Sequence, residues 1–150
     1  MSLSEELEVL RNIPMFANVE PVRLKLLAFT SQRLTFEPGQ NVFCRGDVGD
    51  AAYIIIGGEA EVLVDQEGTE VKVATVGKNE LIGEIAILCD VPRTATVRAK
   101  SHVTALKIPK DLFFTMVAEF PQMAVEVMCE LARRLNRTTV QLSDALAKGQ

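Results

Sequence analysis

The spacing of apolar residues along this chain changes character twice. Up to about residue 33 they fall in helical clusters; from about 34 to 110 they come in short runs rich in Val, Ile and Thr; from 111 they return to helical spacing. In the first block, Ser4 followed by Glu5 and Glu6 predicts a helix start, with the acids at the positive end of the dipole. "NIPMF" ends that helix at Pro14, and Pro21 opens a second helix in "VEPVRLKLLAF". The runs "QNVF", "AAYIIIG", "EAEVLV", "EVKVATV", "TATVRA" and "VTALKIP" predict strands. Turns at Gly39, Gly46, Gly57, Gly58, Gly68 and Gly77 separate them. Many short strands at regular spacing predict a jelly-roll β-barrel. The class is therefore α+β, a single domain over 1–150: N-terminal helices (1–33), a barrel (34–110) and C-terminal helices (111–147).

The last helix is expected to run from Pro121 to 147, with Gly149 as its stop. Ala124, Met128, Leu131, Leu135, Thr138, Leu142 and Ala145 follow one another at alternating steps of four and three, the spacing of a coiled-coil seam. Such a helix is roughly 40 Å long at 1.5 Å per residue. One face of a small barrel cannot cover that length, so the seam predicts contact with a second copy. Thr138 is its polar member, either tolerated in a dimer seam or in contact with something polar.

One segment departs from the strand pattern. "GEIAILCDVPRTATV", residues 83–97, has the composition of interior, and "GEIAILC" reads as a short helix. Yet Glu84 follows Gly83, and Arg93 stands between Pro92 and Thr94. Burying ions costs several kcal/mol each unless partners restore it, so two readings stand. Either Glu84 and Arg93 pair with each other, or they serve a ligand. In the second reading Gly83 leaves the first amides of a helix open for a phosphate. Arg93 supplies a planar fork of donors, and Glu84, an acceptor, suits sugar hydroxyls.

Composition narrows the function classes. A net charge of −4 and a pI near 5.1 argue against a nucleic-acid surface. Cys44, Cys89 and Cys129, an odd number at wide spacing, predict neither disulfides nor a metal knuckle but small buried thiols. The single histidine, His102, is expected in a solvated turn. Asp47 and Asp50 of "RGDVGD" read as turn residues rather than metal ligands. The sequence lacks a nucleophile–base pair, a metal-ligand cluster and a Walker-type loop, so no catalytic residue, metal or cofactor is assigned and the chain is read as a non-enzyme. With neither a signal peptide nor a membrane-length apolar run, the expectation is a cytoplasmic protein.

"LIGEIAILCDVPRTATV" resembles the phosphate-binding cassette of the cyclic nucleotide-binding domain family. "FEPGQNVFCRGDVGDAAYIIIGGEAEV" is similar to the family's early barrel strands, "VGKNELIGE" to its approach to the cassette and "LRNIPMFANV" to its leading helical segment. The resemblance implies that Glu84 accepts from the ribose 2′-hydroxyl and that Arg93 pairs with the cyclic phosphate. Gly83 opens the cassette, and amides near Ile85, Ala86, Thr94 and Ala95 complete the phosphate cradle. Val73 and Ala74 line the wall beside the base. "ELARRLNRTTVQL" resembles the dimerising helix of the family's bacterial cAMP-binding regulators. By that resemblance Thr138 meets the base in its own subunit and Thr139 the base in the partner. Thr94 fits either nucleotide, since kinases of the family that respond to cGMP carry a threonine there. The expected function is a cyclic nucleotide sensor, cAMP favoured, that relays binding allosterically through its C-terminal helix to an effector protein or an output domain beyond "SDALAKGQ". A cGMP-selective sensor and a degenerate dimerisation domain are the alternatives.

Overall fold

The computed structural model describes residues 3–17 and 19–148, with side chains from Glu6 onward. The expected Gly149 stop and the side chains of Ser4 and Glu5 lie outside the described residues. Helix α1 (Leu3–Arg11), a 3-10 turn (Pro14–Phe16) and α2 (Pro21–Thr30) precede eight strands. These are β1 (Gln32–Phe36), β2 (Asn41–Phe43), β3 (Ala51–Gly57), β4 (Ala60–Gln66), β5 (Thr69–Val76), β6 (Leu81–Ile82), β7 (Thr96–Ala99) and β8 (Val103–Pro109). The short helix α3 (Glu84–Leu88) sits between β6 and β7, while α4 (Lys110–Glu119) and α5 (Pro121–Lys148) close the chain. The strands form two antiparallel sheets, ordered β1-β8-β3-β6 and β2-β7-β4-β5, packed as a jelly roll.

Local chemistry sets the turns. Glu67 and Gly68, at φ 54° and 84°, make the two-residue connection between β4 and β5, the backbone twist that a tight hairpin demands. Phe120, held at φ −122° and ψ 88° ahead of Pro121, ends α4, and α5 leaves at 113° to it.

Strand β3 explains why "AAYIIIG" is apolar without alternation. Ala51, Tyr53 and Ile55 point between the sheets against Val42, Val97, Val103 and Ala105. Ala52 and Ile54 point the other way, into a second cluster with Phe16, Leu24, Leu27, Phe113 and Met123 from the helices. A strand covered on both faces has no polar side to show.

The fully buried apolar residues of α5 lie in its first turns. Met123 and Val127 are buried, whereas the seam residues Met128, Leu135 and Leu142 are 60%, 69% and 59% exposed. The seam is therefore divided: Met128, Leu135 and Leu142 are exposed, whereas Leu131 packs against the chain's own core. Among the described residues no single helix is long and apolar enough to cross a membrane.

The cysteines depart from expectation. Cys89 is exposed and Cys44 and Cys129 are half-buried, all three as free thiols. Cys89 caps the C-terminus of α3 at the surface, and Cys44 lies in the loop after β2, where its sulfur accepts from Asn41 Nδ2 at 3.3 Å. The positions of Cys44 and Cys89 in connections, rather than in strands, override the general tendency of thiols to be buried. His102 is exposed between β7 and β8, 3.7 Å from Glu37.

Candidate ligand-binding site

Gly83 ends β6 and starts α3 at φ +80°, a left-handed conformation that glycine adopts without cost. No side chain caps α3, so its leading amides are not held by a cap. Close packing adds a second demand for glycine. A Cβ at Gly83 would lie 2.6 Å from Arg93 Nη1 and 3.2 Å from the Phe43 ring. Gly83→Ala is accordingly expected to destabilise the fold by about 1–3 kcal/mol, read from urea melts, through the positive φ and a displaced Arg93.

Arg93 is buried at 3% exposure. Its main chain is clamped by the turn after β2: Arg93 N donates to Asp47 O, and Gly46 N donates to Arg93 O, both at 2.8 Å. This assigns "RGDVGD" a structural part, with Asp47 also accepting from Cys44 N at 3.1 Å. The Arg93 guanidinium donates through Nη1 to Gly83 O (2.6 Å) and through Nη2 to Ala51 O (2.7 Å), and it lies 4.2 Å over the Phe43 ring. Its Nε is buried without a hydrogen-bond partner. Burial pulls its pKa below the ordinary arginine value, opposed by the negative charge of Asp50. Asp50 Oδ1 stands 4.0 Å away.

Glu84, 2% exposed, does not pair with Arg93. Its carboxylate accepts from Arg134 Nη1 of α5 at 2.7 Å, and Arg134 Nη2 also donates to the Leu81 carbonyl. Burial pushes the Glu84 carboxyl above its ordinary range, and the Arg134 charge pulls the other way. Of the two readings left open by the sequence, the mutual ion pair is not formed. The acid is tied to the last helix and the base to the barrel.

These groups border one cavity of about 340 Å³. Of the residues singled out from the sequence, Gly83, Glu84, Ile85, Ala86, Arg93, Thr94 and Ala95 line one side of it, Val73 and Ala74 the β5 wall, and Thr138 the ceiling. Thr139 does not line it. Its hydroxyl is exposed and donates to Leu135 O at 2.9 Å.

On α5, the sequence reading missed the lining residues Arg134, Arg137 and Gln141. With Thr138 they fall at helical offsets of three, four and seven from residue 134, which is one face of α5. That spacing was the available signal: once Thr138 is placed toward a ligand, its neighbours a turn either side follow.

The comparisons with known proteins agree with this geometry. The family model "Cyclic nucleotide-binding domain" matches residues 33–120. The CRP-like cAMP-activated global transcriptional regulator of Mycobacterium tuberculosis is 31% identical over 140 residues, covering 93% of this chain and 62% of that protein. The catabolite activator protein of Thermus thermophilus superposes with TM-score 0.74 at 27% identity, over 89% of this chain and 63% of that one. The regulatory subunit of a cAMP-independent protein kinase A from Trypanosoma brucei gives TM-score 0.76 at 26% identity, over 94% of this chain and 52% of that one. This chain thus spans under two thirds of the length of these relatives, which are regulators. With the matched residues taking in β1 to β8 and the whole Gly83–Arg93 segment, the chain belongs to the cyclic nucleotide-binding domain family.

Proposed function

We propose that the cavity binds a cyclic nucleotide, cAMP in preference to cGMP, and that α5 carries the bound state to an effector. The observation that carries this is the convergence of a buried guanidinium, uncapped helix amides and a buried carboxylate on one cavity beneath α5. A phosphate suits Arg93 and the α3 amides, and the Arg93 Nε has a donor to offer it. The ribose 2′-hydroxyl suits Glu84, and the purine lies between β5 and Thr138. A volume of about 340 Å³ falls within the usual range for a small-molecule site.

Helix α5 is joined to the cassette through Arg134, so a ligand that alters Glu84 acts on the helix. It shifts α5 only to the extent that it binds the helix's two positions unequally. The exposed line of Met128, Leu135 and Leu142 supports pairing of α5 with a second copy, which would bring Thr139 to the partner's site.

Calorimetric titration with cAMP and with cGMP tests the reading. Saturable binding with cAMP the tighter ligand is expected. Comparable affinities, or tighter cGMP, would overturn the preference, and no heat from either would leave the degenerate dimerisation domain.

A further inference from the structure

Arg137 and Gln141 stand one turn apart on the cavity-lining face of α5, either side of Thr138, and they want different bases. A guanidinium is donor-only and matches the two acceptors of guanine, O6 and N7. A carboxamide both donates and accepts, which matches the N6 amine and N7 of adenine. If both side chains reached the base freely, the site would read neither purine cleanly.

Glu80 stands beside Arg137. It lies in the turn between β5 and β6, and its main chain is held on β3: Ile55 N donates to Glu80 O at 3.0 Å, and Asn79 N donates to Ile55 O at 2.7 Å. Its Oε1 is 4.0 Å from Arg137 Nη1. Its other oxygen, Oε2, is buried and has no hydrogen-bond partner, so the carboxylate has acceptor capacity left for the same guanidinium. Arg137, 55% exposed along its side chain, both approaches Glu80 and lines the cavity. The anchored acid and the exposed base thus lie together beside the ceiling of the site.

We propose that Glu80 is a positioning residue for nucleotide choice, holding Arg137 away from the base so that Gln141 decides in favour of adenine. This rests on the cyclic nucleotide reading above. The carboxylate need not touch the ligand, and its effect passes through Arg137.

The test is a double-mutant cycle on the full chain: wild type, E80Q, R137A and E80Q/R137A, each titrated with cAMP and cGMP by calorimetry. E80Q keeps the shape of the side chain and removes its charge. It is expected to move the cGMP-to-cAMP affinity ratio toward cGMP by about fivefold, the size of a partly exposed ion pair. In the R137A background the same change is expected to leave the ratio where R137A alone puts it. An E80Q that weakens both nucleotides equally would overturn the proposal, as would a shift of equal size without Arg137. If the wild-type chain binds neither nucleotide, the functional reading itself falls and this proposal falls with it. Binding with a ratio indifferent to Glu80 defeats this proposal alone.

Discussion

Arg93→Ala is expected to weaken cyclic nucleotide binding by about 30-fold or more. Loss of a buried, charge-assisted contact costs on the order of 2–5 kcal/mol, and among the described residues no second cation stands in the barrel half of the cavity lining. The same side chain donates to Gly83 O and Ala51 O, so the substitution also leaves two carbonyls short of a donor. Calorimetry must therefore be run below the melting temperature of the variant, with circular dichroism alongside. Arg93→Lys separates the two effects: it keeps the charge but loses the planar fork that bonds two carbonyls and lies on Phe43. Lysine is expected to bind between wild type and alanine. Unaltered binding in a folded Arg93→Ala would remove the phosphate assignment.

Arg134→Ala is expected to destabilise the chain by about 3 kcal/mol in urea melts. Breaking a buried pair strands the remaining charge, at a cost of about 3–5 kcal/mol. The lower end applies because the Arg134 side chain is 23% exposed, whereas that of Glu84 is 3% exposed. The carboxyl, already raised by burial, is expected to rise further once its cation is gone. Adding Glu84→Gln to Arg134→Ala is expected to recover much of the loss, since a neutral amide needs no counter-charge. A double variant no more stable than Arg134→Ala would show that the arginine acts through packing, not through the carboxylate.

The barrel was legible because its strands carry the period and its turns carry the glycines. "AAYIIIG" reads as a strand and Gly68 as a turn from residue type alone. The cassette was legible for a different reason: Gly83, Glu84 and Arg93 are anomalies in an apolar stretch, and anomalies that fall within one short segment are visible in one dimension. What joins distant segments was not. The partners of Arg93 are carbonyls of residues 51 and 83, and a carbonyl has no signature in a sequence. Arg134 shares "ARRLNR" with two other arginines, and only the rotation of α5 about its axis tells which of them faces Glu84. The thiols went astray similarly. Residue type predicted burial, but Cys89 closes a five-residue helix at the surface, and position outweighed type.

The reach of α5 beyond its last tie to the cassette makes the helix a lever. From Arg134 to Lys148 the rod extends roughly 21 Å at 1.5 Å per residue, and none of those residues beyond Arg134 is buried against the barrel. A tilt of about 10° about the Arg134 tie would carry the far end through about 4 Å, from the same helix geometry. A rearrangement of a few tenths of an ångström where Arg134 meets Glu84 is thus multiplied severalfold at Lys148. Under the proposed relay, helix length and the position of one arginine would set the mechanical advantage, and with it the displacement that reaches Lys148.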